Sequence, residues 1–109
     1  MTRTTKKTYS KEIEKAIQES HLSRDVIEAY FDCIGNPKLE YVKEAEESFY
    51  GVFESEVSFA EYYVNDLGLA DCLEDWLYSC INWDDAFLEI RHDFFISKKN
   101  DKIYCFRHL

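Results

Sequence analysis

Between Lys43 and Arg91 the chain has no lysine, arginine or histidine. A solvated helix surface normally mixes signs, because like charges at i,i+4 cost about 0.2–0.5 kcal/mol. Glycine and proline are also scarce, with three and one in 109 residues. That excludes a glycine-rich phosphate loop, and neither G-x-S-x-G nor H-E-x-x-H occurs. No apolar run approaches the roughly 20 residues of a membrane helix. Met1-Thr-Arg-Thr-Thr-Lys-Lys lacks the apolar core of a secretion signal, so the expected compartment is the cytoplasm with reduced thiols.

What fills the cation-free stretch is acid: Glu44, Glu46, Glu47, Glu54, Glu56, Glu61, Asp66, Asp71, Glu74, Asp75, Asp84, Asp85 and Glu89. The chain is nevertheless 46% hydrophobic and 17% aromatic, enough for a real interior. Net charge is −9, but the cations gather at the two ends, and residues 16–97 hold 19 acids against 4 cations. Such a body repels nucleic acid and anionic membrane, so neither is an expected partner. Its expected partner is a basic surface.

Apolar spacing predicts helices near 11–20, 23–34, 37–49, 56–67 and 72–90, the last as one helix or two meeting near Asn82. Ser10, Ser23 and Ser55 suit N-caps, and Gly35 and Gly68 suit helix stops. Asn36-Pro37 reads as a cap followed by the first helical residue. Phe49 to Glu54 breaks the helical period and reads as a turn. Leu73, Trp76, Leu77, Cys80 and Ile81 read as a core stripe, as do Leu39, Val42, Ala45 and Phe49. Asp25, Glu28 and Asp32 form a stripe away from the core side of their helix. Phe94 to Ser97 and Lys102 to Phe106 read as two strands joined by a turn. The expected fold is α+β and mainly helical: a small helical subdomain, then an acidic helical region closed by a C-terminal β-hairpin. The expected divisions are a basic flexible tail over 1–9, the helical subdomain over 10–50 and an α+β subdomain over 51–109.

Catalytic chemistry finds little footing. Glu74-Asp75 and Asp84-Asp85 could suggest acid/base work, but neighbouring helical side chains diverge by about 100°. His21, His92 and His108 are scattered. Zinc held by some of Cys72, Cys80, Cys105, His92 and His108 lacks the C-x2-4-C or H-x3-5-H spacing such sites use. Buried structural thiols are the expected role of the cysteines. No catalytic residue, metal or cofactor is assigned, and the chain reads as a non-enzyme. Most of the 18 aromatics fall on core stripes. Tyr41, Tyr50, Tyr62 and Tyr78 fall off them and are candidates for an interface, including a homodimer.

The acidic residues Glu44, Glu47, Glu54, Glu56, Glu61, Asp66, Asp71, Glu74, Asp75, Asp84, Asp85 and Glu89 are the candidate site. Duplex DNA carries one charge per about 1.7 Å of axis, so fifteen excess negatives match about 25 Å of duplex. A rigid body so charged would fill a DNA-binding groove. The alternatives are a mimic aimed at another defence or DNA-binding protein, such as a CRISPR effector, and an acidic adaptor for a basic protein.

Phe49 to Gly68, reading FYGVFESEVSFAEYYVNDLG, resembles the ArdA-type antirestriction proteins, in which an aromatic-x-Gly-x-aromatic-acid-Ser turn opens an acidic helix bearing Phe-Ala. Ile81-Asn82-Trp83-Asp84-Asp85-Ala86-Phe87 is similar to the family's Ile-Asp-aromatic-Glu-Ala-aromatic segment. Asp93-Phe94-Phe95 and Tyr104-Cys105-Phe106-Arg107 resemble its closing hairpin. Leu22 to Asp32 is similar to its middle segment, less specifically. The likeness covers roughly residues 22–109. Leu88-Glu89-Ile90 stands where the family has Ala-Arg-Asp-Leu, and the family's N-terminal domain has no counterpart here. The resemblance implies an elongated DNA mimic, often dimeric, carried by phages or mobile elements and inhibiting type I restriction–modification enzymes in a bacterial host.

Overall fold

A computed structural model describes residues 8–108. The basic tail expected over residues 1–9 lies outside that range except for Thr8 and Tyr9. Tyr9 is half-buried, with its ring edge-on to Phe31 at 5.4 Å.

The protein is α+β and mainly helical. Three helices come first: α1 (Lys11–Glu19), α2 (Arg24–Ile34) and α3 (Leu39–Ser48). Then follow β1 (Phe49–Phe53), α4 (Glu56–Asp66), a single helical turn α5 (Asp75–Tyr78) and α6 (Trp83–Ile90). A 3-10 turn at Arg91–Asp93 leads into β2 (Phe94–Lys99) and β3 (Lys102–Arg107).

Local chemistry sets these boundaries. The hydroxyls of Ser10, Ser23 and Ser55 accept from the amides of Ile13, Val26 and Ser58, capping α1, α2 and α4. Gly35 closes α2 in the left-handed region at φ 101°. After α4, the Gly68 amide donates to the Asn65 carbonyl and the Leu69 amide to that of Val64, the paired bonds of a Schellman stop. Asn36-Pro37 does not begin α3, whose N-cap is Lys38.

The three strands form one antiparallel sheet ordered β1-β3-β2. The expected hairpin is β2–β3, turning through Asn100 and Asp101 at φ 55° and 61°. Two positive φ values in a two-residue loop match the strand twist. The third strand corrects the sequence reading: Phe49 to Phe53 is not a turn but pairs with β3, with a register shift between Phe49 and Gly51. The residue-50 boundary of the expected subdomains falls inside this strand.

β3 lies in the middle and is covered on both faces. Tyr104 and Phe106 pack with Val26, Ala29, Tyr30 and Ala45 of α2 and α3. Ile103 and Cys105, on the opposite face by the two-residue period, pack with Phe59, Ala60, Phe87 and Phe94. A further cluster of Ile13, Ile17, Ile27, Phe31 and Val42 holds α1 against α2 and α3. Two helical layers thus share one thin sheet.

Of the one helix or two meeting near Asn82 expected over 72–90, the structure has two, α5 and α6, with Asn82 capping α6 through the Asp85 amide at 3.2 Å. From Leu67 to Ile81 no residue is buried. Leu73, Trp76, Leu77 and Cys80 are exposed, contrary to the core stripe read from their spacing, and Leu39 is exposed at the start of α3. Glu28 departs the other way. It was expected on a polar stripe, yet it is 8% exposed and holds Arg24 and Lys99. Among the described residues, no helix is long and apolar enough to cross a membrane.

Candidate functional site: the cation-free segment

The segment begins on α3. Glu44 is half-buried and accepts the Tyr30 hydroxyl at 3.0 Å, so it serves the interior more than the surface. Burial, with this carboxylate beside it, pushes the Tyr30 phenol up to about 12. Glu46 is likewise engaged, by the Ser20 hydroxyl at 2.5 Å. Glu47 is exposed.

At the start of α4 the acids meet the hairpin. Lys98 lies 3.2 Å from Glu56, and Lys102 lies 4.0 Å from Glu54. Ser55 and these four residues line a concavity of about 490 Å³ together with Lys99, Asn100 and Asp101. The cations missing from the segment therefore reach its first acids from elsewhere in the chain.

Beyond that point no ion pair reaches them among the described residues. α4 turns Phe59 and Ala60 inward and leaves Glu61 exposed. Asp66, at its end, accepts the Tyr50 hydroxyl at 3.1 Å. Tyr50 itself is not a free interface residue. Its ring lies within about 5–6 Å of Phe53, Phe59, Tyr62, Tyr63 and Phe94. Burial first, and the Asp66 carboxylate second, push its phenol above the usual range.

α6 packs against α4 and buries Phe87, while Asp84, Asp85 and Glu89 stay exposed. Asp84 and Asp85 lie in its first turn, where the helix dipole favours negative charge. Asp71, Glu74 and Asp75 lie on the unburied stretch between the two helices. Of the twelve candidate acids, ten are exposed; Glu44 and Glu56 are half-buried. Glu47, Glu61, Asp66, Asp71, Glu74, Asp75, Asp84, Asp85 and Glu89 take part in no ion pair among the described residues.

The sequence reading missed what accompanies these acids. Leu67, Leu69, Leu73, Trp76 and Leu77 are exposed within eleven residues of chain, Trp76 by 65%. The helical spacing of Leu73, Trp76 and Leu77 pointed to a core. The structure gives that spacing only one turn of helix, between Glu74 and Ser79. The thiols divide as well: Cys105 is buried and Cys33 half-buried, whereas Cys72 and Cys80 are exposed, contrary to a buried role for all four. Among the described residues, no three His, Cys, Asp or Glu side chains group as metal ligands would. Compared with protein-family models, curated proteins and solved structures, the chain gives no match.

Proposed function

We propose that the protein is an acidic DNA mimic. It inhibits a type I restriction–modification enzyme by occupying that enzyme's DNA-binding groove, in the cytoplasm of a bacterial host, without catalysis or cofactor. The observation that carries this reading is the set of nine exposed carboxylates over Glu47 to Glu89 that take part in no ion pair among the described residues. Unneutralised charge at this density raises the potential over the surface and draws in a basic groove. The likeness of Phe49–Gly68 and Ile81–Phe87 to ArdA-type segments supports the choice of target.

Each carboxylate adds modestly, since an exposed ion pair is worth about 0.2–1 kcal/mol. Affinity in this mechanism is a sum over many contacts, so no single residue governs it. The test is competition on a purified type I enzyme. Duplex DNA and the protein should exclude each other, with one protein molecule or dimer per groove and no turnover. Simultaneous binding of both would overturn the reading and favour an adaptor.

A further inference from the structure

The stretch from Leu67 to Ile81 differs from the rest of the molecule. α5 is missing from the main helix and strand packing, and what ties it down is Tyr78. The Tyr78 hydroxyl accepts from the Asn65 amide at 3.1 Å, and its ring meets Trp83 edge-on at 5.6 Å. With Tyr78 turned to the body, Trp76 and Leu77 within the turn and Leu73 just before it are left exposed. Trp76 is 65% exposed, Leu69 60% and Leu67 47%.

A tryptophan and four leucines exposed within eleven residues of chain concentrate apolar surface on one short stretch, and exposed apolar surface of this kind marks a binding site. Aromatic anchors at such sites carry much of the binding energy. The surrounding charge says what binds. Asp71, Glu74 and Asp75 lie on the same stretch, Asp66, Asp84 and Asp85 flank it, and no cation occurs between Glu44 and Ile90. A second copy docking here would bring the same carboxylates to the same seam, where like charges oppose each other.

We propose that this stretch is a docking surface for a protein partner that presents apolar side chains flanked by lysine and arginine. The reading rests on the function proposed above in taking the partner to be basic. It adds an apolar anchor, which duplex DNA does not have, so contact through Trp76 persists at salt concentrations that remove the electrostatic part.

The test uses the full chain with Trp83→Phe, so that Trp76 alone emits. The probe is a synthetic amphipathic helix with leucine on one face and lysine on the other. Two controls accompany it: a glutamate-for-lysine version and a lysine helix with alanine in place of leucine. The leucine–lysine helix should shift Trp76 emission to the blue and bind about tenfold more tightly than either control. Leu73→Ser with Leu77→Ser should remove that advantage. Because these residues are exposed, the double variant keeps its fold, which circular dichroism checks. Equal binding of all three helices overturns the proposal, as does an undiminished advantage in the double variant. A dimer in sedimentation that Trp76→Ser converts to monomer also overturns it, in favour of a second copy as occupant. No restriction enzyme enters this experiment, so its outcome is separate from that of the DNA competition.

Discussion

The Lys99 ammonium donates to Glu28 Oε1 at 2.9 Å, joining β2 to α2 across 71 residues of chain. The other Glu28 oxygen takes Arg24 Nε at 2.9 Å, and Arg24 forks onto Glu14 at 2.7 and 2.9 Å. Four charged groups thus tie α1, α2 and the hairpin together. Burial alone would raise the Glu28 pKa, but the bonds from Lys99 and Arg24 outweigh it and hold the carboxyl below its usual value.

Glu28→Gln should therefore be costly, because it leaves Lys99 and Arg24 facing a neutral amide. Bonds to charged groups contribute about 1.5–3 kcal/mol, so the loss should be about 2 kcal/mol and lower Tm by roughly 10 °C. The pH dependence has a definite sign. A carboxyl depressed on folding adds stability that is complete above its unfolded pKa and disappears as pH falls through the folded value. Wild type should thus lose stability on acidification below about pH 4 more steeply than Glu28→Gln. Thermal melts of both proteins across that range measure the difference.

The Asn100-Asp101 turn offers a gain. Both residues hold positive φ, which costs a side-chain-bearing residue energy that glycine does not pay. Asp101→Gly should raise stability by about 0.5–1 kcal/mol, and chemical denaturation should show a higher midpoint at unchanged slope.

Thiol reactivity should split the cysteines into two pairs. Burial pushes the Cys105 thiol up to about 12 and that of Cys33 up to about 11, while Cys72 and Cys80 are exposed. Iodoacetamide at neutral pH should label Cys72 and Cys80 rapidly in the native protein. Cys33 and Cys105 should react only after denaturation. Peptide mass mapping over a time course checks this.

Charge removal should act unevenly along the acidic segment. Glu54 and Glu56 already face Lys102 and Lys98, whereas Asp84 and Asp85 face no cation among the described residues. Neutralising Asp84 and Asp85 should weaken DNA displacement from the target enzyme more than neutralising Glu54 and Glu56. Adding Glu74 and Asp75 to both pairs should weaken it far more, with the fold intact. Abolition by Asp84→Asn alone would show a discrete site in place of a distributed one. The series is measured at one fixed salt concentration, since screening shifts every member.

What sequence alone could convey depended on how local the cause was. The caps at Ser10, Ser23 and Ser55 and the stops at Gly35 and Gly68 were legible, because each acts within a few residues. So was the hairpin, whose strands are neighbours in the chain. β1 was not, because it follows α3 without a turn residue and its partner begins about fifty positions later at Lys102. A strand is defined by what it pairs with. The same holds for Glu28, whose burial depends on Lys99. The stripe from Leu73 to Ile81 was misread for another reason: spacing reports an apolar side, and says nothing of whether anything covers it.

The central place of β3 bears on how the molecule is made. Every helix and both other strands precede it in the chain, yet both helical layers rest on its two faces. A nascent polypeptide that has reached only Asn100 holds two sets of apolar helices with no floor between them, and β1 and β2 with no partner. The α1–α3 helices share a cluster of their own, but the surfaces that rest on Tyr104 and Phe106, and on Ile103 and Cys105, are covered only once synthesis has passed Arg107 and that segment has left the tunnel. The joining of the two helical layers through one sheet is therefore confined to the end of synthesis, when the last strand becomes available to both.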